Sequence, residues 1–524
     1  MDSHSVSLNP SKGSNEQRID VPMRSFQGGY YPQLIALYKH LGVKFRQADF
    51  SYSFSTLTNL SDTLQRQITT TMIYNGASGR DGVSMPSNML PPTAKSSLLS
   101  APSSLVAHLH IYVTFMLSMF LLVVFYLRLV LFSLPIQVPE SISSSWVAFS
   151  IPLWLPFPTR PRNKCLTLRE WTERTTPNNA ISRWLKLDVQ WQHFVKEVLV
   201  PLFSAVCTAG EDRIWNHPVE ELLDYIYLTF GTHHYVVLNG VRDVVRKITT
   251  PVPPSNIHLS TPIVALVPGS PDGVSVSTVD IHCASNVVFS GFEHVILATQ
   301  ANHAGPLLKA YCDRLPESTS PDSSHLDHHR DLVAAQTSCL ENFEYCRTIV
   351  VNHTDSTLLP SCPRNWRDLN LVMTTEPPLQ ADASDLCLPP TYAMATHILP
   401  KLKGVYQTTN PIVPPAATTI LSVAHLERAV VTICGKNALA GLWQEREENK
   451  WKWGCAGSDG GRLGSLQGAG RSRQCRVPGI WICGSYAHCG IPLLEGCVVS
   501  ARNVVEQGIW ASEDVDLSTL PPLW

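Results

Sequence analysis

The residues best suited to chemistry lie near the carboxy terminus, in "PGIWICGSYAHCGIPLLEGCVVSARNVVEQ", Pro478 to Gln507. The apolar run "GIWIC" reads as a short buried strand, Gly484 as a turn, and Leu493 to Val505 as a helix. A helix entered from such a turn points unpaired N–H groups and the positive end of its dipole at whatever lies in front. A phosphate or an electron-rich ring suits that position. Glu495 falls in the first helical turn, where a carboxylate suits the dipole and could accept from a ribose or ribitol hydroxyl. An ordinary strand–helix packing unit with a glycine turn explains the same residues equally well. His488 sits in the glycine-rich turn, where a histidine is more often structural than catalytic.

Other groups of reactive side chains are weaker. The fourteen cysteines are scattered without a CxxC pair, and Cys483, Cys489 and Cys497 match no zinc spacing. Reduced, mostly buried thiols and no metal site are expected. "HLDHHR", His325 to Arg330, lies in a Ser/Pro/Asp-rich stretch and reads as a solvated loop rather than a metal site. Asn59-Leu60-Ser61 and Asn352-His353-Thr354 match a glycosylation sequon, but no secretory signal precedes them.

The 524 residues suffice for two packed domains. A net charge of −2 gives no broad basic surface, which argues against a nucleic-acid partner. One segment is unlike the rest. "IYVTFMLSMFLLVVFYL", Ile111 to Leu127, carries no formal charge, and apolar character resumes after Arg128 through Leu134. A bilayer-spanning helix needs about twenty such residues, and an arginine at the end can snorkel to the headgroups. A buried hairpin-forming helix is the competing reading; apolar character on all faces favours the membrane. Spanning and dipping in both remain open, and the expected location is intracellular and membrane-associated.

The elements that must position the carboxy-terminal unit come from separated parts of the chain. Leu34, Leu37, Tyr38 and Leu41 fall at helical spacing, with Gly42 placed to end the helix. Residues 76–104 read as a loop, 105–136 as the hydrophobic helix, and 137–235 as a largely helical cap or substrate domain in which Thr167 and Glu170 form a capping box. Strands return from "HHYVVLNG". "HVILAT" is continuously apolar, as expected of a strand covered on both faces. Residues 313–440 are expected to supply the substrate-domain sheet, 441–476 a long surface loop or insertion, and 511–524 a tail. The fold class is α/β with α+β elements.

A colinear series of segments resembles the flavin-containing amine oxidase-like superfamily. "GIWICGSYAHCGIPLLEGCVVSARNV" is similar to its carboxy-terminal flavin-binding segment. "IVVNHTDSTLLPSCPRNWRDLN", "TYAMATHILPKLKGVYQTTNP", "FEHVILATQANHAGPLL" and "VPMRSFQGGYYPQLIALYKHLGV" resemble further stretches of a subgroup of predicted FAD/NAD-binding members. The resemblance runs from about residue 18 to residue 507. It implies an FAD-binding, Rossmann-like domain assembled from residues 1–75, 236–312 and 477–510, with the substrate domain beside it. Carried over residue by residue, Gly484 and Ser485 would line the phosphate side of the flavin, and Glu495 and Gly496 would lie near its ring. Ile263 would meet the adenine through its backbone, Ala298 and Thr299 would abut the ADP moiety, and Arg24 and Tyr31 would lie where the chain passes the flavin.

The sequence departs from that pattern in two ways. The superfamily opens with a strand, GxGxxG, a helix and an acidic residue, and no such unit precedes residue 18; the look-alikes "GSDGGRLG" and "GAGRSR" follow no strand. Either the coding sequence begins further upstream or the main phosphate cradle has been lost, with poor FAD affinity as the consequence. The lysine many amine oxidases place near the flavin has no counterpart, and no catalytic base is identified. The implied activity is FAD-dependent oxidation of a lipophilic small molecule, with hydride passing to the flavin, in specialised metabolism. The alternative is a degenerate, non-catalytic membrane-associated binding or scaffold protein.

Overall fold

The computed structural model describes residues 4–7, 18–21, 25–59, 66–76, 79–89, 102–134, 165–270, 276–316, 324–376, 385–445 and 461–515. The chain divides into two compact units. One comprises residues 1–29, 45–242 and 346–428; the other comprises 30–44, 243–345 and 429–524.

The first unit is built on an eight-stranded sheet in the order Ile420–Val430, Glu344–His353, Tyr406–Thr409, Met394–Ile398, Leu369–Thr374, Tyr52–Thr58, Gln67–Tyr74, Val83–Ser84. At its centre Leu369–Thr374 runs parallel to Tyr52–Thr58, while the hairpin partners on either side are antiparallel. The register lines up Thr408, Thr396, Asn370 and Ser53 in one cross-strand row. All four are fully buried. Such a row is tolerated only because its members satisfy each other. Thr396 and Thr408 hydroxyls lie 2.9 Å apart, and Ser53 donates to Asn370 Oδ1 at 2.7 Å. The Asn370 amide then donates to the carbonyls of Arg367 and Thr396. Burial holds His353, bonded to Thr408 at 2.7 Å, down at about 4, so its imidazole is neutral in this network.

Two helices of the first unit form where their sequence signals lie. Leu168–Thr175 opens with the expected capping box: Thr167 accepts from Glu170 N and Glu170 accepts from Thr167 N. The apolar segment forms one helix, Pro102–Ser133. Arg128 does not snorkel outward. It is buried, donates to Thr175 O at 2.6 Å, and lies 4.6 Å above the Trp191 ring. A planar, weakly hydrated guanidinium stacked on an aromatic face is stable there.

In the second unit His294–Leu297 pairs in parallel with Gly479–Ile482, beside a three-stranded antiparallel ribbon, Ile263–Gly269, Thr278–Cys283 and Val288–Phe292. His294–Leu297 is covered on one face only, contrary to its apolar run. Val295 and Leu297 enter the core, whereas Ile296 is 43 % exposed. "HLDHHR" is not a loop but the start of helix Ser324–Leu340. The buried stripe His329, Val333, Gln336, Thr337, Leu340 has helical period, and its apolar members lie beyond Arg330. His329 is bonded to Ala469 O at 2.6 Å.

Residues 441–476 are likewise not a surface loop throughout. Trp443–Glu445 pairs with Gly461–Leu463, and Gly468–Gly470 turns through three consecutive positive φ angles against the ring of Trp481. A Cβ on Gly468 would sit 2.7 Å from that ring, so the glycines serve close packing. The first residues of the expected tail are also anchored. Glu513 accepts from Arg471 at 2.7 Å and from His294 Nε2 at 3.0 Å, and His294 Nδ1 accepts from Trp481 Nε1 at 3.0 Å.

Two outcomes test these networks. Asn370→Ala strips partners from Ser53 and from two carbonyls, and should lower unfolding free energy by about 2 kcal/mol, read as an earlier urea midpoint. Partial burial raises the Glu513 carboxyl, but hydrogen bonds from Arg471 and His294 outweigh it and leave it below the ordinary 4.5. Its clamp therefore contributes fully above that ordinary value and is lost as pH falls through the lower, folded value. The Tm difference between wild type and Glu513→Gln should close over that acid interval and stay constant above it.

Candidate functional site

In open α/β sheets ligands gather at the carboxyl ends of the strands. Here those ends are Ala298 and Thr299 on one strand and Cys483 and Gly484 on its parallel neighbour. Helices Ala301–Cys312 and Leu494–Asn503 both begin after these ends. The second unit thus brings Ala298, Thr299, Gly484, Ser485, Glu495 and Gly496 into one region. Tyr486 bridges it, its hydroxyl donating to Thr299 O at 3.1 Å. Burial drives the Tyr486 phenol well above its ordinary value, so it remains a neutral donor.

Each glycine answers to a close approach. A Cβ on Gly484 would lie 2.9 Å from the Tyr486 ring, at a φ of 156°. Its N–H and C=O are both bonded to the Ser500 hydroxyl at 3.0 Å, which closes the turn onto the helix. A Cβ on Gly496 would lie 2.8 Å from Ser485 O. The helix can lie this near the turn only because position 496 has no side chain.

Glu495 does something the sequence did not suggest. Its carboxylate is buried and faces the start of helix Pro32–His40, accepting from Gln33 N and Leu34 N at 2.9 Å each. That helix has proline at its first position and no side-chain cap of its own. Glu495 therefore supplies in trans the acceptor that an N-cap residue supplies in cis. Each of its oxygens thus accepts one backbone N–H of that helix. Tyr30 reinforces the joint by accepting from Ile491 N at 2.8 Å. Tyr31 is the residue from which that helix starts and is buried beside the Tyr30 ring. Ile263 opens the antiparallel ribbon and is 47 % exposed. Arg24 lies outside the described residues. His488 is buried edge-on to Trp443, a packing position.

The other edge of Gly479–Ile482 is closed in an unusual way. Gly479 and Cys483 direct their N–H groups to Glu293 O and Leu297 O, so Ile480 and Ile482 face away from the partner strand. Their groups are met by side-chain amides. Ile482 N donates to Gln467 Oε1 at 2.9 Å, and Gln467 Nε2 donates to Ile482 O at 2.8 Å. Gln336 Nε2 donates to Ile480 O at 3.0 Å. Two glutamines thus stand where a further strand would pair. Nothing in the sequence pattern marked Gln467; Gln336 lies in the buried stripe of its helix, a signal the sequence did carry.

No protein-family model matches the chain, and no curated protein does. Among solved structures, cyclohexylamine oxidase from Brevibacterium oxydans IH-35A is similar over 97 % of this chain and 91 % of its own, at 10 % identity and a TM-score of 0.41. Putrescine oxidase bound to putrescine is similar over 97 % and 90 %, at 10 % identity and a TM-score of 0.40. An oxidoreductase from Methanosarcina mazei is similar over 92 % and 87 %, at 10 % identity and a TM-score of 0.39. These likenesses are faint, and the functional reading rests on the chain's own residues.

Removing the Glu495 tie leaves two backbone donors without their charged acceptor. Glu495→Ala should destabilise the chain by about 2–3 kcal/mol and Glu495→Gln by less, since the amide keeps one acceptor. Urea unfolding of the two variants gives the comparison; equal, negligible losses would refute the assignment.

Proposed function

We propose that the protein is an FAD-binding oxidoreductase that oxidises a lipophilic small molecule of specialised metabolism while associated with a membrane. The observation that carries this reading is the strand, glycine turn and helix at Gly479–Asn503, set beside a parallel strand whose own helix starts at the same end. The fit to a flavin dinucleotide is good on the helix side. The first turn of helix Leu494–Asn503 would face the flavin edge, with Ser485 on the phosphate side. Gly484 and Gly496 keep the turn close to that helix, and Glu495 fixes the approach of helix Pro32–His40. FAD, when bound, accepts a hydride from a substrate C–H bond. The chain's residues would bind, orient and exclude water; none is assigned as a base. The apolar helix supports a lipophilic substrate, since a membrane-seated enzyme meets such molecules in the bilayer.

A second reading has its own observation. The edge of Gly479–Ile482 is filled by Gln336 and Gln467, and among the described residues no strand pairs there. That favours a non-catalytic, membrane-associated binding protein on a flavoprotein-like frame.

Flavin retention separates the two. Full-length protein mixed with FAD and passed through a sizing column should emerge yellow. Ser485→Glu, at a half-buried position, should weaken retention at least about tenfold by placing a carboxylate beside the phosphates. Colourless, folded wild-type protein would count against the first reading and favour the second. Unchanged affinity in Ser485→Glu would move the cofactor elsewhere.

A further inference from the structure

Helix Pro102–Ser133 carries a single arginine and no lysine or carboxylate. That arginine, Arg128, is only 6 % exposed. A guanidinium donates through Nε, Nη1 and Nη2 and accepts nothing. One hydrogen on Nη2 is taken by Thr175 O at 2.6 Å. Nε and Nη1 are buried and donate to nothing, and among the described residues no carboxylate pairs with the group. The donors of a guanidinium are paired along two edges, Nε with Nη2 and Nη1 with Nη2. Thr175 O engages one Nη2 hydrogen, so one edge keeps both of its donors.

The walls around this open edge are aromatic. The guanidinium carbon lies 4.6 Å from the centre of the Trp191 ring and 5.3 Å from that of Phe132. Phe125 and Phe194 each pack 5.7 Å from Trp191, and Trp171 packs 5.8 Å from it. Ring faces attract the cation but give its N–H groups no acceptor. A buried charge with open donors is costly, and an apolar side chain of similar length would avoid that cost. The counterpart that fits is an anion whose two oxygens match one guanidinium edge, as a carboxylate does. A phosphate monoester would set about two charges against one. The rest of the ligand should be apolar, because Phe120, Val123 and Leu127, on the turns just before Arg128, are all more than half exposed.

We propose that Arg128 is the head-group site for a long-chain carboxylic acid, held by a two-pronged ion pair while its chain lies on the neighbouring apolar surface of the helix. Of the five rings, Phe132 alone is half-buried, so it is the one a ligand displaces to reach the guanidinium. The site belongs to the first unit and its test involves no flavin, so the cofactor reading stands or falls separately. Purified full-length protein is dialysed against radiolabelled laurate, below its micellar concentration, and in parallel against dodecanol and acetate. Laurate should bind at one equivalent and at least about tenfold more tightly than dodecanol; acetate should not bind in the same range. Arg128→Met should weaken laurate at least about tenfold and leave dodecanol unchanged. Laurate should also raise the Tm of the wild type but not of Arg128→Met. Equal affinity for laurate and dodecanol overturns the site, as does laurate binding that survives Arg128→Met. Tighter binding of dodecyl phosphate than of laurate overturns the carboxylate assignment. A wild type that binds no laurate, with Arg128→Met merely lowering Tm, leaves Arg128 a structural tie to Thr175 and overturns the proposal. Should Arg128→Met fail to fold, the wild-type comparison of laurate with dodecanol decides by itself.

Discussion

A fully buried strand must have partners on both edges. Gly479–Ile482 is buried at every residue, and its peptide groups cannot reach water. One edge is served by His294–Leu297, the other by the amides of Gln336 and Gln467. A glutamine carries a donor and an acceptor in the same plane, so it can imitate one residue of a neighbouring strand. Gln467 does this at Ile482 with both of its groups. Around this point the second unit organises itself: helix Ser324–Leu340 must present Gln336, and the turn at Gly468–Gly470 must hold Gln467 in place.

The same strand explains the glycine distribution. Trp481 is buried, and would-be Cβ atoms on Gly468, Gly479 and Gly508 all come within 2.7 Å of its ring. Two other segments converge on one indole, and Gly479 of its own strand clears its edge, because none of these positions carries a side chain. At the strand's far end Gly484 and Gly496 do the same for Tyr486 and Ser485. The unit is thus packed by aromatic rings set against bare backbone, which fixes the candidate cofactor edge with little freedom.

Much of this was legible in the sequence, because local periodicity coincides with packing. The run from Leu34 to Leu41 with Gly42 at its end became helix Pro32–His40 with Gly42 at a φ of 63°. Thr167 and Glu170 formed their box. What could not be read is long-range. Glu495 looked like a ligand for a sugar because its partner, the amino end of Pro32–His40, lies some 460 residues away. "HLDHHR" looked like a loop because its polar residues come first and the buried stripe follows. Residues 441–476 read as a surface loop or insertion because sequence does not show which ring lies opposite their glycines. Arg128 looked like a headgroup-seeking charge until Trp191 and Thr175 came into place.

Arg128 also carries a mechanical consequence. Its guanidinium is seated on Trp191 and bonded to the first unit, so the apolar helix is clamped at a fixed height above that body. A free amphiphile adjusts its tilt and depth to the thickness of the lipid around it. A rod bolted at one end has no such latitude. Were a bilayer to receive it, the depth of immersion would be set by the protein's own architecture rather than by the lipid.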